Sequence, residues 1–225
     1  MQSSWKICRR VSLLVLIAVG VFAGQIRTQL SAGPSKQAFL REFAAAALER
    51  TRHSVRYDSA YIRLAYPGGD VPEGTGVCTD EVIRAYRAVG IDLQKEVHDD
   101  MAANSGAYPR KRGRREPDPN IDHRRVPNLM VFFSHQGESL PITDQADDYT
   151  PGDLVTWDLG RGLTHIGMVV DRKALFTRRF MIVHNIGEGP KMEDVLFNWK
   201  ITGHYRYFGP GRETNPNESP ARHND

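Results

Sequence analysis

Residues 151–185 read PGDLVTWDLGRGLTHIGMVVDRKALFTRRFMIVHN, and their pattern decides the fold. Pro151-Gly152-Asp153 is a turn. Leu154–Leu159 follows as a strand, with Val155, Trp157 and Leu159 alternating onto one face. Gly160-Arg161-Gly162 is a tight connection, Thr164–Asp171 is a second strand and Phe180–Asn185 a third. Asn198–Phe208 supplies a last one. Upstream the period becomes helical. Lys36–Arg52 reads as a helix capped by Ser35, with Phe39, Phe43, Ala46 and Ala47 on one face. Residues 78–90, CTDEVIRAYRAVG, form another, with Val82, Ala85, Tyr86 and Val89 as the apolar stripe. Thr79 is its candidate cap, Asp80 and Glu81 suit the helix dipole, and Gly90 stops it. Val97–Ala103 is a further short helix, and Leu129–Phe133 a strand or a helix turn. Tyr57, Tyr61 and Leu64 lie in an extended piece. Tyr66–Gly76 and Tyr108–Asn128 are loops, the second carrying the basic run Arg110–Arg115, read as solvated. Helices first and antiparallel strands later define an α+β fold, with N-terminal helices packed on a small antiparallel sheet.

The ends of the chain follow other rules. Lys6, Arg9 and Arg10 precede the apolar run Val11–Gly24. Fourteen residues of helix span about 21 Å, short of a hydrocarbon core of about 30 Å. Residues 1–24 are therefore expected to be a signal peptide, with a membrane anchor as the alternative. Residues 25–35 read as a linker, 36–209 as the folded domain and 210–225 as a disordered tail. The chain has 225 residues and a formal net charge of +3. Beyond residue 24, 27 basic residues face 27 acidic ones, so global charge lends no support to nucleic-acid binding.

Two cysteines are present, and Cys8 would leave with a signal peptide. Cys78 then remains as a lone thiol in an oxidising compartment, either a buried packing residue or a functional one. Its place at a helix start favours function: backbone N–H groups and the dipole there stabilise a thiolate and an oxyanion. A thiol nucleophile needs a base and an orienter. Among eight histidines, His165 and His184 lie in apolar strands. A hairpin register pairing Asp171 with Arg178 would set His165 directly opposite His184, on one face. A one-residue slip would instead promote Asn185. Asp99, Asp100, Asp118, Asp122 and His123 match no firm metal template and read as turn and capping residues, so neither a metal nor a cofactor is expected. Asp122, His123, Arg124 and Arg125 could line a substrate cleft. Glu193, Asp194 and His204 read as surface or structural.

The order Cys on a helix, His on a strand and a polar residue on the next strand resembles the NlpC-type, papain-like cell-wall peptidases. YPGGDVPEGTGVCTDEV, PGDLVTW and HIGMVVD carry that likeness. At finer grain, GVCTDEVIRAYRAVGIDL, NIDHRRVPNL, HIGMVV, HNIG and GHYRY resemble domain-of-unknown-function family 1287, over most of residues 40–208. The resemblance implies a papain-like fold and an exported cysteine peptidase or amidase in the periplasm or cell envelope. Its substrates would be peptidoglycan stem peptides or similar amides, with Cys78, His165 and His184 catalytic. Tyr66, Thr79, Asp80, His123, Arg124 and Asn185 are candidate oxyanion or substrate contacts. Val77 before the cysteine and Thr79-Asp80 after it depart from the superfamily's usual Asp before and Ser-Gly after. Two alternatives stay open: a non-catalytic envelope binding domain of the same fold, and a metal-dependent hydrolase using residues 118–123.

Overall fold

The computed structural model describes residues 35–109 and 116–211. The expected signal or anchor, the linker apart from Ser35, the basic run 110–115 and the tail beyond 211 lie outside the described residues. The compact unit described here begins at Lys36. Its elements, in order, are α1 (Lys36–Arg50), β1 (Arg56–Tyr57), β2 (Thr75–Gly76), α2 (Cys78–Ala88), α3 (Leu93–Ala103), α4 (Val126–Gln136), β3 (Glu138–Ser139), β4 (Leu154–Asp158), β5 (Thr164–Lys173), β6 (Phe180–His184), β7 (Lys191–Glu193) and β8 (Lys200–Arg206). No helix among the described residues is long and apolar enough to cross a membrane.

The architecture is α+β: helices precede a six-stranded sheet of order β3-β8-β4-β5-β6-β7, every neighbouring pair antiparallel. Strand alternation separates two cores. Ile166, Met168, Val170 and Val183 pack with α1, α2 and α4 through Phe39, Phe43, Val82, Tyr86 and Phe133. Val155, Trp157, Val169 and Ile182 form the opposite face with Tyr149, Val195 and Leu196. The turn before β4 brings sheet and helices together: Gly152 has φ 97° and comes so close to α1 that a Cβ would lie 2.7 Å from Leu40 Cδ2. Glycine alone meets both demands.

Local readings shift in ways that have physical reasons. α4 extends from Val126 to Gln136, beyond the expected apolar run, because Pro127 sits in its first turn, where its missing N–H costs nothing. α3 starts at Leu93, four residues early, because the Asp92 carboxylate accepts from the Gln94 N–H and caps it. Residues 122–124, read as surface loop, form a buried 3₁₀ turn. β7 is too short to show a period and was not expected. Thr79 is not the cap of α2. The N-cap is Val77, and the Asp80 carboxylate reaches back to its N–H at 2.7 Å.

Candidate active site

The hairpin β5–β6 brings the two strand histidines together, in a different register from the expected one. Met168 pairs with Val183 and Val169 with Ile182. Continued, this sets Gly167 against His184, two residues from the direct His165–His184 pairing. A shift of two preserves the face, so the histidines meet diagonally. His165 Nε2 and His184 Nδ1 are 2.8 Å apart. Gly167 makes this possible: a Cβ there would lie 3.2 Å from His184 Cβ and 2.6 Å from Ile182 Cγ2.

The chain of contacts continues to Glu193, which from the sequence reads as surface or structural. His184 Nε2 lies 2.9 Å from the Glu193 carboxylate on β7. A carboxylate only accepts, so Nε2 of His184 carries the proton and its Nδ1 accepts from His165 Nε2–H. His165 Nδ1 is then a lone pair, with no hydrogen-bond partner among the described residues. Trp157 and Trp199 flank the rings, with centroids 5.8 and 6.1 Å from that of His165. Burial, then the neighbouring His184, lowers the His165 pKa to about 3. Burial lowers that of His184 too, against the opposing pull of Glu193. Both rings are neutral at physiological pH.

Cys78 begins α2 and is 5% exposed. Backbone N–H groups of Ile166, Thr79 and Cys78 itself point at its sulfur and favour the thiolate. Burial outweighs them and pushes the thiol up to about 11, so the lowering expected from the helix terminus does not prevail. The sulfur thus touches β5 one residue beyond His165. Among the described residues no hydrogen bond joins it to either histidine.

The remaining candidates take other places. Thr79 Oγ1 donates to the Arg124 carbonyl at 3.0 Å. The Asp80 carboxylate accepts from Arg124 Nε at 2.8 Å and Nη2 at 3.0 Å, and Arg124 also donates to the Ala60 carbonyl at 3.1 Å. These three side chains therefore lock α2 to the 122–124 turn. The Tyr66 hydroxyl donates to Asp99 at 3.3 Å and its ring rests on His98. Its described contacts do not include Cys78. The phenol beside Cys78 belongs to Tyr57, whose pKa rises to about 12 through burial, then the neighbouring Cys78 and Asp80. The parallel pairing of Tyr57 with Gly76 brings it there, and no local pattern in the sequence announces such a bridge. His123 is 2% exposed, and burial, then Arg124, lowers its pKa to about 3. Asn185 is fully buried on the helix-facing side, its Oδ1 accepting from the Gly187 N–H at 3.1 Å and its Nδ2 unpartnered.

The carboxylates of the metal alternative are engaged locally. Asp122 accepts from the Asp118 N–H at 2.6 Å, and Asp100 binds Tyr108, His135 and Gln136. No group of three or more His, Cys, Asp or Glu residues arranged around a common metal position occurs among the described residues.

Fold and site together define an α+β protein with a helix-start cysteine that touches β5 at the Ile166 backbone and a buried His–His–Glu chain that starts one residue earlier on that strand. The chain belongs to the family described as Domain of unknown function (DUF1287), which it matches over residues 44–207. It is 54% identical over 152 residues to the uncharacterized protein YijF of Escherichia coli (strain K12), an alignment covering 68% of this chain and 74% of that protein.

Proposed function

We propose that this protein is an exported cysteine hydrolase with a papain-like, NlpC-type fold, a peptidase or amidase acting on peptidoglycan stem peptides in the cell envelope. The observation that carries this reading is the chain Glu193–His184–His165, which leaves an oriented imidazole lone pair on the strand that Cys78 touches. A buried imidazole pair with its tautomer set by a carboxylate is costly to desolvate and has a ready use as a base. In this reading the His165 ring, which lies with Trp157 on the sheet face opposite Cys78, swings round the start of β5 on substrate binding. Cys78 Sγ then attacks the carbonyl carbon and its proton passes to His165 Nδ1. N–H groups at the start of α2 hold the oxyanion. His165 then protonates the leaving amine, and water releases the acyl group from sulfur. With the thiol near 11 and His165 near 3, the resting pair is thiol and neutral imidazole, so His165 acts as general base during attack instead of facing a preformed thiolate. Export rests on the basic-apolar pattern of residues 1–24.

The test is digestion of intact muropeptides with mass detection, comparing the protein with Cys78→Ala. Cleavage by the parent and none by the folded variant is expected; equal cleavage by both would overturn the mechanism. One observation favours a second reading, a non-catalytic envelope binding domain: the thiol is 5% exposed and bonded to neither histidine. That reading predicts muropeptide binding without turnover, unchanged in Cys78→Ala.

A further inference from the structure

Leu175 and Phe176 are 84% and 96% exposed, the most exposed large apolar side chains among the described residues. They sit side by side at the tip of the β5–β6 hairpin, far from either core. Two backbone hydrogen bonds close the loop beneath them: Ala174 N–H to the Arg179 carbonyl at 2.9 Å, and Arg178 N–H to the Ala174 carbonyl at 3.1 Å. Arg178 has φ 61°, a conformation that glycine or asparagine adopts more easily.

The flanks are basic. Arg172, Lys173 and Arg178 are exposed beside the apolar pair. Arg179 is held by Asp194 at 2.9 Å, and Asp194 also accepts from Thr177. Asp171 is the other acid near the tip, so the cations outnumber the acids facing them. An apolar apex inside a cationic collar matches an anionic bilayer surface, with headgroup phosphates outside and acyl chains within. An exposed pair this small makes a poor protein interface.

We propose that the β5–β6 tip is a membrane-docking element that inserts Leu175 and Phe176 into an anionic phospholipid surface. At about 3.3 Å per residue, the strand between Lys173 and His165 would hold the histidine pair roughly 26 Å from the tip. The hairpin would then serve as both anchor and spacer.

The experiment uses the full chain carrying Phe176→Trp, with the parent spectrum subtracted. Vesicles contain either phosphatidylcholine alone or phosphatidylcholine and phosphatidylglycerol in equal amounts, with and without brominated acyl chains. A blue shift and bromine quenching of the introduced indole are expected with the anionic vesicles only. Arg172→Gln, Lys173→Gln and Arg178→Gln should each weaken that response roughly fivefold. This readout follows the tip itself, however the rest of the chain binds. An indole that keeps a water-exposed spectrum while the protein sediments with anionic vesicles would overturn the proposal. So would an equal response to both vesicle types, or a concentration-dependent shift without vesicles, which would mean a second copy covers the tip.

Discussion

His184 bridges His165 and Glu193 as a neutral ring, and that neutrality has a pH signature. His123, His165 and His184 all have folded-state pKa values below the unfolded value near 6.5, set chiefly by burial. As pH falls through 6.5 the unfolded chain takes up protons first. The stability these groups contribute is complete above 6.5 and is lost as pH falls toward about 3, the value for His123 and His165. The urea midpoint is therefore expected to fall between pH 7.5 and 5.5, and to fall less in His165→Gln; a flat profile would contradict buried neutral rings. Glu193→Gln provides a second check. Without a pure acceptor, His184 can adopt the other tautomer, and the direction of the His165–His184 hydrogen bond is no longer set. Turnover, if present, should drop with little change in melting temperature, because Glu193 is 41% exposed. The role of Glu193 was not legible locally: it follows His184 by nine residues and meets it only because β7 folds back on β6.

At the level of elements, the hairpin β5–β6 joins fold to site. Its register leaves His184 facing Gly167, and the narrow space there is shared with Ile182 and Trp157. Gly167→Ala would force these neighbours apart at a cost of about 1–3 kcal/mol. The expected result is a lower urea midpoint together with altered imidazole NMR shifts for His165 and His184. Unchanged shifts and stability would mean that the diagonal pairing does not depend on the glycine. Period-two alternation identified both strands from sequence, and an assumed register put the two histidines on one face. The two-residue offset escaped because alternation cannot distinguish registers that differ by an even number.

Across the whole molecule, Arg124 ties three distant stretches together: Asp80 at the start of α2, the carbonyl of Ala60, and the 122–124 turn itself. The Asp80 and Arg124 side chains are each 2% exposed. Arg124→Met would leave a buried carboxylate unpaired and should cost about 3–5 kcal/mol, whereas adding Asp80→Asn should recover part of that loss. Urea denaturation of the two single variants and the double variant measures the coupling; additive effects would contradict it. Read as sequence, Asp122-His123-Arg124 sits in a polar, proline-containing stretch and looks like surface. Charge and turn composition cannot reveal that a partner 44 residues away takes the guanidinium inside.

The sequence by itself determined the α+β class, the helix-start cysteine and two histidines on neighbouring apolar strands, because hydrophobic period and local turn chemistry act over a few residues. The likeness to family 1287 was also carried by local motifs. Tertiary structure alone decided the register that joins His165 to His184, the entry of Glu193 and Tyr57, the burial of Arg124 and the high pKa of Cys78. Each of these depends on desolvation or on contacts between segments far apart in the chain, and neither quantity is written in any short stretch of residues.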